Sequence, residues 1–143
     1  MIQEVREERA RVIIVDVHAP LIVAGLRGEA RRTVGTEHTA EALGSGDVPV
    51  LGTPAVLALI EEAAVNAIRE LLPEGATSVG VWVKLDHLAP SKIGAKVVAT
   101  AELVAVENRL LDFVCEARDG DRVVAKAEHR RVLVVRDRWL AKL

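Results

Sequence analysis

The sequence predicts an α+β fold in which an antiparallel sheet curls around one long central helix. Three features carry this expectation: one wide apolar stripe at helical spacing over residues 53–71, four later segments that alternate with period two, and at least one extended run ahead of the helix.

Taken in order, residues 11–18 hold Val12, Ile13, Ile14, Val15 and Val17 and read as a candidate buried strand; Pro20, Gly25 and Gly28 then punctuate the chain. Residues 1–24 form an N-terminal arm of unassigned structure, and 25–143 form the folded domain. An extended run over 29–36 leads into Glu37-His38-Thr39-Ala40, a short helical turn, and 44–49 are a loop by composition. Thr53-Pro54 opens the main helix. Threonine is a favoured N-cap, and proline suits the next position because that N–H has no intrahelical partner. Val56, Leu57, Ile60, Ala64, Ala67, Ile68 and Leu71 share its apolar face, and Pro73 and Gly75 end it. A helix this apolar calls for sheet around it.

In residues 77–88 the odd positions Val79, Val81, Val83 and Leu85 are placed on one face. Residues 95–106, 110–118 and 122–135 repeat the alternation, and 136–143 read as a short closing helix. Glu107-Asn108-Arg109 and Asp119-Gly120-Asp121 are hairpin connections, which make the late strands neighbours. Such a sheet ends in an edge strand that a second copy can cover.

Composition narrows the function. At 143 residues, half of them hydrophobic, the chain supports one compact core without disulfides or metal. With one Phe, two Trp and no Tyr it lacks the aromatic platforms on which bases stack, and 19 Lys and Arg against 21 Asp and Glu give no basic face for a phosphate backbone. Nucleic acid is excluded as a main partner. Cys115 is the lone cysteine and reads as a small core residue. The run 12–15 follows a mixed-charge stretch rather than a basic leader region, and no apolar run reaches the roughly 18 residues of a membrane span. A cytoplasmic protein without membrane contact is the expectation.

Helix geometry separates two adjacent carboxylates. At 100° per residue, Glu61 falls on the edge of the apolar stripe beside Leu57 and Ile68, whereas Glu62 falls opposite, near Ala58 and Arg69. A carboxylate beside apolar surface is a candidate base or nucleophile, although a structural role fits it as well. His87 continues the register of Val79, Val81, Val83 and Leu85, so it points to the core as a hydrogen-bonded histidine or a functional one. Thr53 is both N-cap and candidate. These three meet where helix and sheet pack. His18, His38 and His129 show no metal-ligand spacing, Gly44-x-Gly46 lacks the context of a dinucleotide loop, and no serine sits in a nucleophile elbow.

Several segments together resemble one family. They are Glu37-His38-Thr39-Ala40-x-x-Leu43-Gly44-Ser45-Gly46, Val48-Pro49-Val50-Leu51-Gly52-Thr53-Pro54, Glu61-x-Ala63-Ala64, Leu72-Pro73-Glu74-Gly75-x-x-Ser78-Val79-Gly80 and His87-Leu88-Ala89-Pro90 with Gly94. Over about residues 25–140 they resemble the fluoroacetyl-CoA thioesterase-like family of hot-dog proteins. The resemblance implies a hot-dog homodimer, extendable to a tetramer, that hydrolyses short acyl-CoA thioesters with no metal or redox cofactor, CoA being part of the substrate. It places the family's catalytic threonine, glutamate and histidine on Thr53, Glu61 and His87, and its glycine beside the reacting carbonyl on Gly80. Two departures stand out. Where the fluoroacetyl-specific enzyme has lid phenylalanines, this loop has Gly44 and Asp47, which points to a different or broader acyl group. The family's Thr-His-Glu-Arg reads Glu128-His129-Arg130-Arg131, so neither His129 nor Arg131 is carried over as a site residue.

Two alternatives share the fold. A hydratase or dehydratase would work on the β-carbon through an Asp–His pair, and a non-catalytic acyl-CoA or acyl-carrier binding module would not need an ionisable Glu61.

Overall fold

The computed structural model describes residues 17–143. It contains β1 (Arg27–Thr33), a 3₁₀ turn (Thr36–His38), α1 (Ala40–Leu43), α2 (Thr53–Ile68), a second 3₁₀ turn (Arg69–Leu71), β2 (Ala76–His87), β3 (Lys96–Glu107), β4 (Leu110–Asp119), β5 (Arg122–Val135) and α3 (Arg136–Leu140). The candidate strand at 11–18 falls mostly outside the described residues; Val17 and His18 are not in a strand, and Val17 packs against the core.

All pairings are antiparallel, in the order β1-β3-β4-β5-β2. The predicted hairpins join β3 to β4 and β4 to β5, with Asn108 and Gly120 at φ of 56° and 60°, as tight turns between twisted strands demand. β2 follows the helix and pairs only with β5, so one side of its 12 residues has no strand partner among the described residues.

α2 lies across the inner face of the sheet. Val56, Leu59, Ile60, Ala63, Ala64, Ala67 and Ile68 are buried, and each large side chain among them contributes about 1.5–3 kcal/mol through removal from water. The buried face is wider than the predicted stripe: Leu59 and Ala63 join it, Leu57 is half-buried, and Leu71 belongs to the 3₁₀ turn. Its alanines permit a close approach of β1. A Cβ on Gly28 would run into the backbone of Ala63 and Ala67, so Gly28 is a packing residue inside a strand rather than punctuation.

The alternation of β2 departs from expectation. Between Gly80 and Trp82 the register against β5 shifts by one residue, with Gly80 opposite Arg131 and Trp82 opposite Arg130. Such a bulge inserts one residue and reverses the parity of faces. Val83, Leu85 and His87 therefore lie opposite the buried His129, Ala127 and Ala125, while Val81 is exposed and Val79 is only half-buried. Trp82 lies opposite Arg130, whose guanidinium sits 5.6 Å from its ring centroid, away from the helix. Val79 and Val81 do not share the face of Val83 and Leu85, because the inserted residue is invisible to a two-residue period.

Candidate active site

Helix α2 begins one residue earlier than its sequence suggests. Gly52 is the N-cap, Thr53 is the first helical residue, and Thr53 makes no capping bond. Its hydroxyl is instead directed at β2, where Thr53 Oγ1 lies 2.8 Å from His87 Nδ1. The segment before it fixes this position. Thr39 caps α1 by accepting from the Ala42 N–H, the Gly52 N–H donates to the His38 carbonyl, and bridges join Thr39 to Leu51 and Val50 to Lys92. His87 Nε2 is shielded from solvent and has no hydrogen-bond partner among the described residues. Burial lowers the His87 imidazole below its ordinary value, with the Ala89 backbone acting in the opposite sense.

Glu61 lies eight residues along the helix from Thr53, about 12 Å at a rise of 1.5 Å per residue. Its surroundings come from other strands. Glu61 Oε2 accepts from Arg131 Nη1 at 3.1 Å and lies 3.8 Å from His129 Nε2. The Glu61 side chain is 37% exposed, while His129 and Arg131 are buried. Gly80 faces the same carboxylate, since a Cβ there would stand 2.7 Å from Glu61 Oε2. Arg131 also donates from Nε to Ser78 Oγ at 2.8 Å and from Nη2 to the Ser78 carbonyl at 3.1 Å. Glu62, on the opposite face, makes an exposed ion pair with Arg32 at 2.8 Å.

One chain thus carries two clusters. Thr53 meets His87, and Glu61 meets Gly80, Arg131 and His129. A hydroxyl–imidazole pair can move a proton, and a held carboxylate beside a glycine can present an oxygen to a carbonyl carbon. His129 and Arg131 are the residues that sequence matching left out. A signal for them existed: on β5, Ala125, Ala127, His129, Arg131 and Leu133 alternate onto one buried face, and buried cations and imidazoles need partners. Among the described residues no cluster of three or more His, Cys, Asp or Glu is placed to hold a metal ion.

Residues 34–137 match the family model for FlK, the fluoroacetyl-CoA-specific thioesterase. The fluoroacetyl-CoA thioesterase of Streptantibioticus cattleyicolor is 32% identical over 94 residues, which span 66% of this chain and 68% of that protein. Solved structures of the fluoroacetyl-CoA thioesterase FlK superpose with a TM-score of 0.78 at 28% identity, covering 85% of this chain and 94% of that one. A hot-dog-like protein from Thermanaerovibrio acidaminovorans follows at a TM-score of 0.76 and 27% identity, covering 83% and 88%.

Proposed function

We propose a mechanism of thioester hydrolysis for this chain, which belongs to the FlK family of fluoroacetyl-CoA-specific thioesterases and has the hot-dog fold. Its reaction is the hydrolysis of an acyl-CoA to the free acid and CoA. The observation that carries the mechanism is the Glu61 carboxylate, held by Arg131 against Gly80, a strand position with no side chain to block it.

Glu61 supplies the attacking oxygen, either its own or that of a water from which it takes a proton. Attack at the thioester carbonyl drives electrons onto the carbonyl oxygen, where backbone N–H groups near Gly80 stabilise them. Collapse expels the CoA thiolate, and the proton given up by the hydrolytic water passes to it through His87, oriented by Thr53. If Glu61 attacks directly, a water then splits the resulting anhydride. Single turnover in ¹⁸O water separates the routes, because only the anhydride route can place label in Glu61.

We assign the working form as a homodimer built on β2. Its unpaired edge is a template for another strand, and an antiparallel copy there runs the partner's His87 end back toward Gly80 and Glu61 of the first chain. That assembly draws together two clusters which one chain keeps apart, and a tetramer adds a second such dimer. Acyl-CoA is the substrate, CoA needs no resident cofactor beside it, and the compartment proposed is the cytoplasm. Among the described residues no helix is long and apolar enough to cross a membrane.

The test is thiol release from a panel of short, branched and aromatic acyl-CoAs, with enoyl-CoA hydration followed in parallel. Wild type releases thiol and Glu61→Gln does not. Hydration without thiol release, or binding without either, overturns the reading. Sedimentation of wild type against Val83→Pro, which removes a donor from the β2 ladder, tests the dimer.

A further inference from the structure

We propose that His129 is a positioning residue for Glu61 that acts through Arg131, an inference that rests on the catalytic reading of Glu61. Arg131 Nη1 has two hydrogens to give. One reaches Glu61 Oε2 at 3.1 Å and the other reaches His129 Nε2, also at 3.1 Å. Ser78 holds the other two guanidinium nitrogens through its hydroxyl and its carbonyl. The direction of the hydrogen aimed at Glu61 thus depends on an acceptor standing where His129 Nε2 stands.

The fold makes that nitrogen an acceptor. His129 Nδ1 lies 2.8 Å from the Trp82 carbonyl, which can only accept, so Nδ1 carries the ring hydrogen and Nε2 keeps its lone pair. The Trp82 carbonyl sits at the end of the β2 bulge, so the irregularity that reverses the strand's faces also sets the tautomer. Phe113 of β4 stacks on the ring at 6.2 Å between centroids and 30° between planes. His129 does not hydrogen-bond the carboxylate itself, since Nε2 stands 3.8 Å from Glu61 Oε2. Its hold on Glu61 passes through one guanidinium nitrogen.

Four elements pack on the ring. β2 presents the Trp82 carbonyl, β4 the apolar Phe113, β5 the Arg131 cation and α2 the Glu61 carboxylate. Burial foremost, and Arg131 after it, lower the imidazole below its ordinary value, against the Trp82 carbonyl and Glu61. A proton added at Nε2 would oppose the Arg131 hydrogen and push Nη1 off its line to Glu61 against the hold of Ser78, which loosens Glu61 at acid pH.

The experiment compares His129→Gln, which offers a carboxamide oxygen near the Nε2 position, with His129→Phe, which keeps the bulk and removes the acceptor. Folding is checked by circular dichroism and thermal melting. His129→Phe lowers kcat on the order of 10- to 100-fold with little change in KM. His129→Gln recovers most of that loss, and its kcat no longer carries the His129 ionisation on the acid limb. Imidazole nitrogen NMR of wild type shows the Nδ1–H neutral tautomer at neutral pH. A folded His129→Phe with wild-type kcat, a Gln variant no better than Phe, or an Nε2–H tautomer overturns the proposal. Absence of thiol release from wild type overturns the thioesterase reading instead, and the NMR then still decides the tautomer.

Discussion

Alanine at Gly80 separates folding from chemistry at a single atom. The added Cβ would stand 2.7 Å from Glu61 Oε2, 3.5 Å from His129 Cε1 and 3.6 Å from Arg131 Nη1. The last two are ordinary contacts, so the strain falls on the carboxylate, which must retreat toward the 3.4 Å of normal packing. Glu61 is held at 3.1 Å by Arg131, so a retreat of several tenths of an ångström stretches or breaks that bond. A misplacement of about 1 Å costs a reaction on the order of 100-fold, and roughly 10- to 100-fold in kcat is expected here. Stability moves the other way or stays level, because glycine in a strand interior is about 0.5–1 kcal/mol worse than alanine. The assay pairs steady-state thiol release with urea unfolding of the same preparations. Wild-type kcat in Gly80→Ala, in a protein that Glu61→Gln inactivates, would refute the assignment of this glycine to the carboxylate's side.

Three further outcomes follow from the geometry. Thr53→Val removes the hydroxyl beside His87 and lowers kcat by at least tenfold, with Thr53→Ser close to wild type; because Gly52 is the cap, neither variant loses the roughly 1 kcal/mol of a deleted N-cap, which urea unfolding reports. Folding stability falls as pH drops below the ordinary histidine value of 6.5, since His87 and His129 are both lowered by burial: the unfolded chain takes up protons that the folded one refuses, and the loss levels off only below the folded-state values. Melting temperature against pH records it, with a shallower slope in His129→Gln; a flat profile in wild type would contradict it. Gly28→Ala drives a methyl into the α2 backbone and destabilises the fold by about 1–3 kcal/mol, and an unchanged unfolding midpoint would show that β1 does not pack as closely as described.

The elements and their order were legible because each rests on a period. Four strands and a helix repeat their pattern often enough to survive a misplaced residue or two, and the hairpin turns declare themselves through Asn108 and Gly120. Single-residue insertions are different. The bulge at Gly80–Trp82 leaves no compositional trace, so an unbroken two-residue period puts Val79 and Val81 on the wrong face, while His87 falls on the right one because the register holds from Val83 to His87. Threonine followed by proline suits a cap, so the sequence starts the helix one residue late; Gly52 takes the cap and Thr53 is already helical. Glu61 was separable from Glu62 by angle alone. The mismatch at Arg130 breaks the family motif around His129 and Arg131, yet Arg130 points to Asp112 on the other face and leaves both residues in place. Distance in sequence hid the rest: Glu61 and Arg131 are 70 residues apart, and only the packing of α2 on the sheet brings them together.

Cys115 acquires a meaning from the reaction. It is 4% exposed on β4, and burial pushes its thiol up to about 12. An enzyme that handles thioesters is surrounded by acyl donors and releases a free thiol at each turnover. A reactive surface cysteine would capture acyl groups through its thiolate by thioester exchange, releasing CoA as the thiol. Packed un-ionised in the core, this chain's single thiol takes no part in such exchange, and the acyl group meets no competing sulfur nucleophile from the protein.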